Sequence, residues 1–516
     1  MWLSKLKNCY FLSLLICLSV TSLNLQAQTK RRIHIEHSDY MRSNKKIISN
    51  ANRLIGHVKV SHGEIQMWCD SAYAYTDTNM IDAFGHVHII KSDTLNIYAD
   101  FINYNGDRQW AVAKGNVKLV NKQTILTTDT LNYDMENSVG YYDDYGTIKD
   151  STNTLHSKIG QYYTRQEKAY FKTKVNARTP NYTMLSDTLI YQPQKGITTI
   201  VGPTRIFDKK TILTATSGIH NSKTGEVRLY KRPVITSGTQ QITADSIFYN
   251  KISGNGLAMG DANIEDKKNH IIVKGNRAVY NDIKQTAMMT DSAELLLYSP
   301  QDTLFLHSDT LISMPDSVPG EKLVRGYYKA RFYRTDLQGK CDSLVYWSKD
   351  STIQLFHSPV LWSGSNQMTA DYIKLITLDS LSQTIKMNGN SFIIAQEDST
   401  KFNQIKGRDM TGHIHNRDLY QIDVDGNGES IYYARDSQGI IGLNKAESSS
   451  ILIKLKDSHV QRISFINSPD GQLSPLPQVS DEQNQLDNFQ WLDALRPKSR
   501  TDIFIVPAQE IKKEQK

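Results

Sequence analysis

From about Ile33 to Ile466, apolar and polar residues alternate with a period of two, and no helical period is sustained. Val58 and Val60, Val87 and Ile89, and Val117 and Leu119 point one way, with polar residues between them. Thr, Val, Ile and Tyr dominate these runs, while Gly-Asn, Gly-Asp and Asn-Gly pairs punctuate them. That pattern predicts strands joined by corners and hairpin turns, an all-β fold.

The strands recur as copies of one segment. IYADFINY (97–104), LTTDTLNY (126–133), LHSKIGQY (155–162), MLSDTLIY (184–191) and ITADSIFY (242–249) align, and the first four are spaced by 29 residues. Thr216 fills the remaining gap, and Asp70 opens the series one residue out of step. Beyond Asp245 the spacing loosens through VKGNRAVY (273–280), LHSDTLIS (306–313), KCDSLVYW (340–347), MTADYIKL (368–375) and IKGRDMTG (405–412). Glycine corners such as GHVKV (56–60), GHVHI (85–89) and KGNVKLV (114–120) lie between the copies. Each copy holds two strand stretches, too few to bury an apolar face alone, so neighbours must stack into one continuous core. Paired turns suit antiparallel strands better than the coils of a parallel β-helix. With two strand levels per copy, about a dozen copies predict an elongated rod on the order of 110 Å.

Composition agrees with an elongated chain. A mean hydropathy of -0.46 and 39% apolar residues are low for one thick globular core. Residues 1–27 read as a cleavable signal peptide: Lys5 and Lys7, an apolar run from Cys9 to Val20, and a cut after Leu25-Gln26-Ala27. An uncleaved anchor or a lipoprotein made through Cys17 fits less well, because the run is short and Ile16 precedes the cysteine. Loss of Lys5 and Lys7 takes the formal net charge from +7 to +5, a mildly basic balance suited to phosphorylated lipid or anionic polysaccharide. Nucleic acid is not an expected partner of an exported chain. Cys69 and Cys341 sit in distant repeats and read as two unpaired thiols.

The repeat region is placed at 28–466, and a division into two consecutive modules would fall near 300–325. Residues 467–516 read as a Pro-containing linker, a short C-terminal helix and a disordered tail over Lys512–Lys516. The helix is predicted by Leu486, Phe489, Leu492 and Leu495 at every third residue, with Ser480 and Gln483 at capping-box spacing. It is expected to cap the last open strand edge.

No sharp chemical motif stands out. The repeated aspartates, one per copy and replaced by Lys158 and Thr216, fit corner hydrogen bonds to backbone amides better than catalysis. Asp423, Asp425 and Asn427 match the front of a calcium loop, but Ala434 stands where a bidentate Glu is needed. The pairs His34 and His37, His86 and His88, and His413 and His415 lack an obvious completing ligand. No enzyme activity, metal or cofactor is expected.

Ala113-Lys114-Gly115-Asn116-Val117-Lys118-Leu119 and Tyr98-Ala99-Asp100-Phe101-Ile102-Asn103-Tyr104 carry a resemblance to the OstA-like (organic solvent tolerance) periplasmic family. The opening Ile33 to Asp39 is similar as well, and the likeness extends to about residue 435. The resemblance implies a V-shaped antiparallel β-jelly roll whose apolar groove holds the acyl chains of lipopolysaccharide. It also implies partners: an inner-membrane lipopolysaccharide extractor, an outer-membrane β-barrel insertase and head-to-tail copies, all met by edge-strand pairing. The groove lining is assigned to Val58, Val60, Val87, Ile89, Leu95, Ile97, Val117 and Leu119. Alternation says inward; it does not separate an open groove from a sealed core. The chain is longer than the family's bridge protein and lacks the insertase's C-terminal barrel strands. Two other readings remain: a structural or adhesive envelope solenoid without lipid, and a β-helical enzyme acting on polysaccharide.

Overall fold

The computed structural model describes residues 31–43, 50–300, 302–378, 381–456, 459–479 and 483–507. The signal-peptide stretch 1–27, Ser480 and the tail 512–516 lie outside the described residues. The chain is all-β and antiparallel, and it divides into two units, Met1–Gln194 and Lys195–Lys516. The stretch 300–325 falls within the second unit.

In unit 1, β1 (His34–His37) and β2 (Tyr40–Ser43) both pair with β3 (Asn52–His62). A meander follows: β4 (Ile65–Tyr75), β5 (Met80–Lys91), β6 (Leu95–Asn105), β7 (Trp110–Asn121) and β8 (Thr124–Asp134), each paired with the next. Each of these pairings shifts register near its middle, at a β-bulge. The next two levels are broken strands: β9 (Val139–Tyr142) with β10 (Gly146–Lys149), then β11 (Thr154–Ser157) with β12 (Ile159–Tyr163). Then come β13 (Lys168–Arg178) and β14 (Thr183–Gln192).

The bulge is where each strand bends, because it inserts an unpaired residue and strengthens the local twist. In β5 the bend is Gly85-His86, with φ of 73° and 43°; in β7 it is Gly115-Asn116, with φ of 75° and 48°. Glycine is required at the first position twice over, since a Cβ on Gly85 would also sit 2.3 Å from Asp70 Oδ2. The predicted aspartates do serve these corners, but their partners differ from the expected backbone amides. Asp70 accepts from His86 Nδ1 at 2.8 Å, and Asp100 accepts from Asn116 Nδ2 at 2.8 Å. The positive φ of the second corner residue turns its side chain out toward the aspartate of the preceding strand.

Bending each strand folds the meander into two walls that share one interior. Successive hairpin turns then form two rows along the free margins. One row holds residues 63–64, 92–94, 122–123 and 150–153; the other holds 76–79, 106–109, 135–138 and 164–167.

Unit 2 repeats the plan with longer strands, up to Asp418–Asp436 and Gly439–Lys456. Its core runs from Ala244 and Ile247 through Phe332, Leu361 and Met387 to Ile451 and Ile453. Residues 470–475, read from sequence as linker, form a strand paired with Gly442–Glu447.

The short C-terminal helix is not formed. Residues 483–507 instead run as an irregular strap with 3-10 turns at Asp493–Leu495 and Arg500–Phe504. The cause is competition for backbone groups. Gln404 Oε1 accepts from the Leu486 amide at 2.8 Å, and Gln404 Nε2 donates to the Asn484 carbonyl at 2.7 Å. Gln367 does the same with the Leu492 amide and the Gln490 carbonyl, each at 2.7 Å. Groups that a helix would pair locally are thus held by buried glutamines far away in sequence. The every-third spacing is real, but it marks single turns: Phe489 donates to the Leu486 carbonyl at 3.1 Å and Leu495 to the Leu492 carbonyl at 2.8 Å. The strap covers an apolar outer wall, where Leu486 packs with Phe392, Ile394, Ile431 and Tyr433, and Leu495 packs with Val360 and Trp362.

One buried base in unit 2 sets an acid sensitivity. Burial holds His220 down at about 4, from an ordinary 6.5. A base with a lowered folded pKa takes its proton first in the unfolded chain, so acid favours unfolding. Stability is therefore expected to fall as pH drops from about 6.5 to about 4, by up to about 3 kcal/mol. Urea melts of the full chain at several pH values check this, and His220→Gln should flatten the slope.

Candidate functional site

The interior of unit 1 is lined by register, not by proximity alone. Val60, Met67, Ile89, Ile97, Leu119, Leu126, Ile148, Leu155, Ala177 and Met184 are successive cross-strand partners. None of the ten is more than 6% exposed. Across the bend, Leu54, Ala72, Ala83, Ile102, Ala113 and Leu131 form the facing ladder. Large aliphatic residues on one wall thus meet three alanines and three large aliphatic residues, Leu54, Ile102 and Leu131, on the other.

All eight residues assigned to a groove lie in this interior. Val58, Val60, Val87, Ile89, Leu95, Ile97, Val117 and Leu119 are 0–5% exposed, so in this state the walls close over them. Ile89, Ile97 and Leu119 are direct neighbours in one ladder, and Val60 joins them through Met67. Leu95 sits at the margin, paired with Lys91 and Asn121.

Sequence reading missed the margin itself. Along one turn row the ladder is His62, Ile65, Lys91, Leu95, Asn121 and Thr124. Along the other it is Tyr104, Ala111, Tyr133, Gly140, Tyr162, Ala169 and Tyr191. Polar side chains of the first row reach across to the second. His62 Nδ1 and Tyr104 Oη are 2.7 Å apart, and Asn121 Nδ2 donates to Tyr162 Oη at 3.0 Å and to the Thr164 carbonyl at 2.9 Å. Lys91 Nζ donates to the Met135 carbonyl, and Lys122 pairs with Glu167. Asn153 Nδ2 donates to Tyr191 Oη at 2.6 Å, and Tyr191 in turn donates to Asp150. At the first repeat the Arg31 carbonyl bridges the rows, 3.1 Å from His62 Nε2 and 3.2 Å from Asn79 Nδ2.

Burial sets the electrostatics of this margin. It pushes the Tyr133 phenol up to about 12 and raises Tyr104 and Tyr191 further, so all three stay neutral hydroxyls. Burial also lowers the Lys91 ammonium from its ordinary value. The tyrosines close the repeated segments by sequence, and their 29-residue spacing was the one signal that could have exposed the margin.

The remaining candidates are structural. Cys69 and Cys341 are free and buried, which pushes their thiols up to about 11 and about 12 and keeps them unreactive. Asp423 lies on a strand and binds His413 Nε2 at 2.7 Å, and His88 stacks between Trp68 and Tyr98. Among the described residues, no three His, Cys, Asp or Glu side chains gather as a metal site. No helix of the described residues is long and apolar enough to cross a membrane.

Bent antiparallel strands, stacked by a 29-residue repeat around an apolar interior, define a β-roll. Residues 30–187, most of unit 1, match the family described as OstA-like protein. An OstA-like domain points to a transport and binding protein of the lipid or lipopolysaccharide type rather than to an enzyme. No curated protein matches the chain.

Proposed function

We propose that the chain is a periplasmic lipopolysaccharide-binding bridge, carrying lipid from an inner-membrane extractor to an outer-membrane insertase. The observation that carries the reading is the unbroken ladder from Val60 to Met184, ten levels with no polar residue. Burying an acyl tail is worth about 0.8 kcal/mol per methylene, so a twelve-carbon tail gains on the order of 9 kcal/mol. A net hydrogen bond across the margin is worth only about 1 kcal/mol. One tail therefore outweighs several bridges. Uniform lining gives every register similar affinity, which lets a lipid advance without a deep trap.

Free strand edges support docking. Among the described residues β1 and β2 pair only with β3, leaving Tyr40 and Met41 67% and 54% exposed at an edge. Such an edge accepts a partner strand by β-augmentation, whether from an insertase, an extractor or a second copy.

A structural envelope roll without cargo is favoured by one observation, the 0–5% exposure of the eight interior residues. Native mass spectrometry of the chain purified without detergent separates the two readings. The carrier should retain multi-acyl lipid, lost on denaturation. A chain that leaves the envelope bare, and stays bare after incubation with lipopolysaccharide, would favour the structural reading.

A further inference from the structure

A tail reaches a sealed interior where the walls are held by the weakest contacts. At the bends, each wall continues into the other through the covalent backbone of every strand. At the opposite margin only side chains and turn carbonyls join the two rows, one small group of bridges per repeat. We propose that lipid passes sideways into unit 1 between these two rows of turns, and that Tyr104, Tyr162 and Tyr191, whose hydroxyls meet the opposite row, are the clasp that opens and shuts the passage. This rests on the lipid-carrier reading above.

Three features carry it. Tyrosines recur at 104, 133, 162 and 191, a step of 29, one on every second rung of the margin ladder, and all but Tyr133, which pairs with Thr164 on its own row, meet the opposite row. Between them in register stand Ala111, Gly140 and Ala169, so a small residue separates each ring from the next along the margin. The opposing groups change from repeat to repeat: an imidazole at His62, an ammonium at Lys91, an amide at Asn121, and an amide with a carboxylate at Asn153 and Asp150. Bridging recurs while its chemistry varies, as expected where the task is to hold two rows together. A hydroxyl on one row and polar groups on the other are equally served by water when the rows part. Opening therefore leaves no polar group stranded, whereas a continuous apolar seam would have to expose carbon.

The test uses the full chain with Cys69→Ala and Cys341→Ala. Asn121→Cys with Thr164→Cys, and separately His62→Cys with Tyr104→Cys, place thiol pairs across the margin for a short reducible cross-linker. A photo-reactive benzoylphenylalanine at Ile97 reports lipid inside, with purified lipopolysaccharide as the probe. Locked protein should capture at least tenfold less lipopolysaccharide than the same sample after reduction. Equal capture by locked and reduced protein overturns sideways passage and leaves the carrier reading standing. No capture in either state overturns both. The triple variant Tyr104→Phe, Tyr162→Phe, Tyr191→Phe keeps the rings and loses the hydroxyl bridges, so it should load at least threefold faster. An unchanged loading rate removes the clasp role from the tyrosines.

Discussion

Truncation after Val479 is expected to destabilise unit 2 by about 5 kcal/mol or more, and to make the chain aggregate. The strap buries Leu486, Leu495 and Ile503 to between 0 and 8% exposure. Each such side chain contributes roughly 1.5–3 kcal/mol. Its loss also uncovers two apolar clusters, one at Trp362 and one at Phe392, Ile394 and Ile431, exposed carbon of the sort that drives association. The polar cost adds to this. Gln367 and Gln404, each 1% exposed, lose their backbone partners, and Arg331 loses the Leu495 carbonyl it donates to at 3.1 Å. Glu294, 4% exposed, loses the two-pronged contact from Arg500, both bonds 2.8 Å. Hydrogen exchange of the truncated full chain should show protection lost across 290–445 while 52–192 keeps its own. Undiminished protection in unit 2 would mean the strap is decoration.

Ile97→Asp is expected to unfold unit 1, while Tyr98→Asp next to it changes stability by less than about 1 kcal/mol. Ile97 is 1% exposed and faces Ile89 and Leu119 across the two adjoining strands, with no donor for a carboxylate. An unpaired charge there costs several kcal/mol, a large share of the roughly 5–15 kcal/mol that holds a typical domain together. Tyr98 points outward and is 39% exposed, stacked on His88. Urea titration followed by circular dichroism checks the pair. Similar losses for both would contradict the assignment of inward and outward faces.

Most of the strand architecture was legible because it rests on local chemistry. Period-two alternation gave Val87 and Ile89 or Val117 and Leu119 their direction, and glycine followed by a second residue of positive φ marked the bends at Gly56, Gly85 and Gly115, whereas β13 bends at Thr173-Lys174 without one. Three things were not legible, for one physical reason: they depend on contacts remote in sequence. The spacing of Leu486, Phe489, Leu492 and Leu495 fits a helix as well as a chain of single turns. What decides is a pair of glutamines 80–125 residues away. The margin of unit 1 joins residues about 40 apart, such as His62 with Tyr104 and Asn121 with Tyr162, and exists only once the strands bend. Whether the interior stands open or sealed is likewise set by the facing wall, about which alternation along one strand says nothing. The corner aspartates were half legible. Their position was read from the repeat, but their partners depend on the left-handed backbone of His86 and Asn116.

The central claim is that the inward ladder of unit 1 holds acyl chains during transport. In-cell photo-crosslinking tests it most directly, with benzoylphenylalanine at Val117 and, as the outward control one residue along the same strand, at Lys118. The account predicts lipopolysaccharide adducts at Val117 and none above background at Lys118. Equal labelling at the two positions, or none at Val117 in a folded chain, would contradict it.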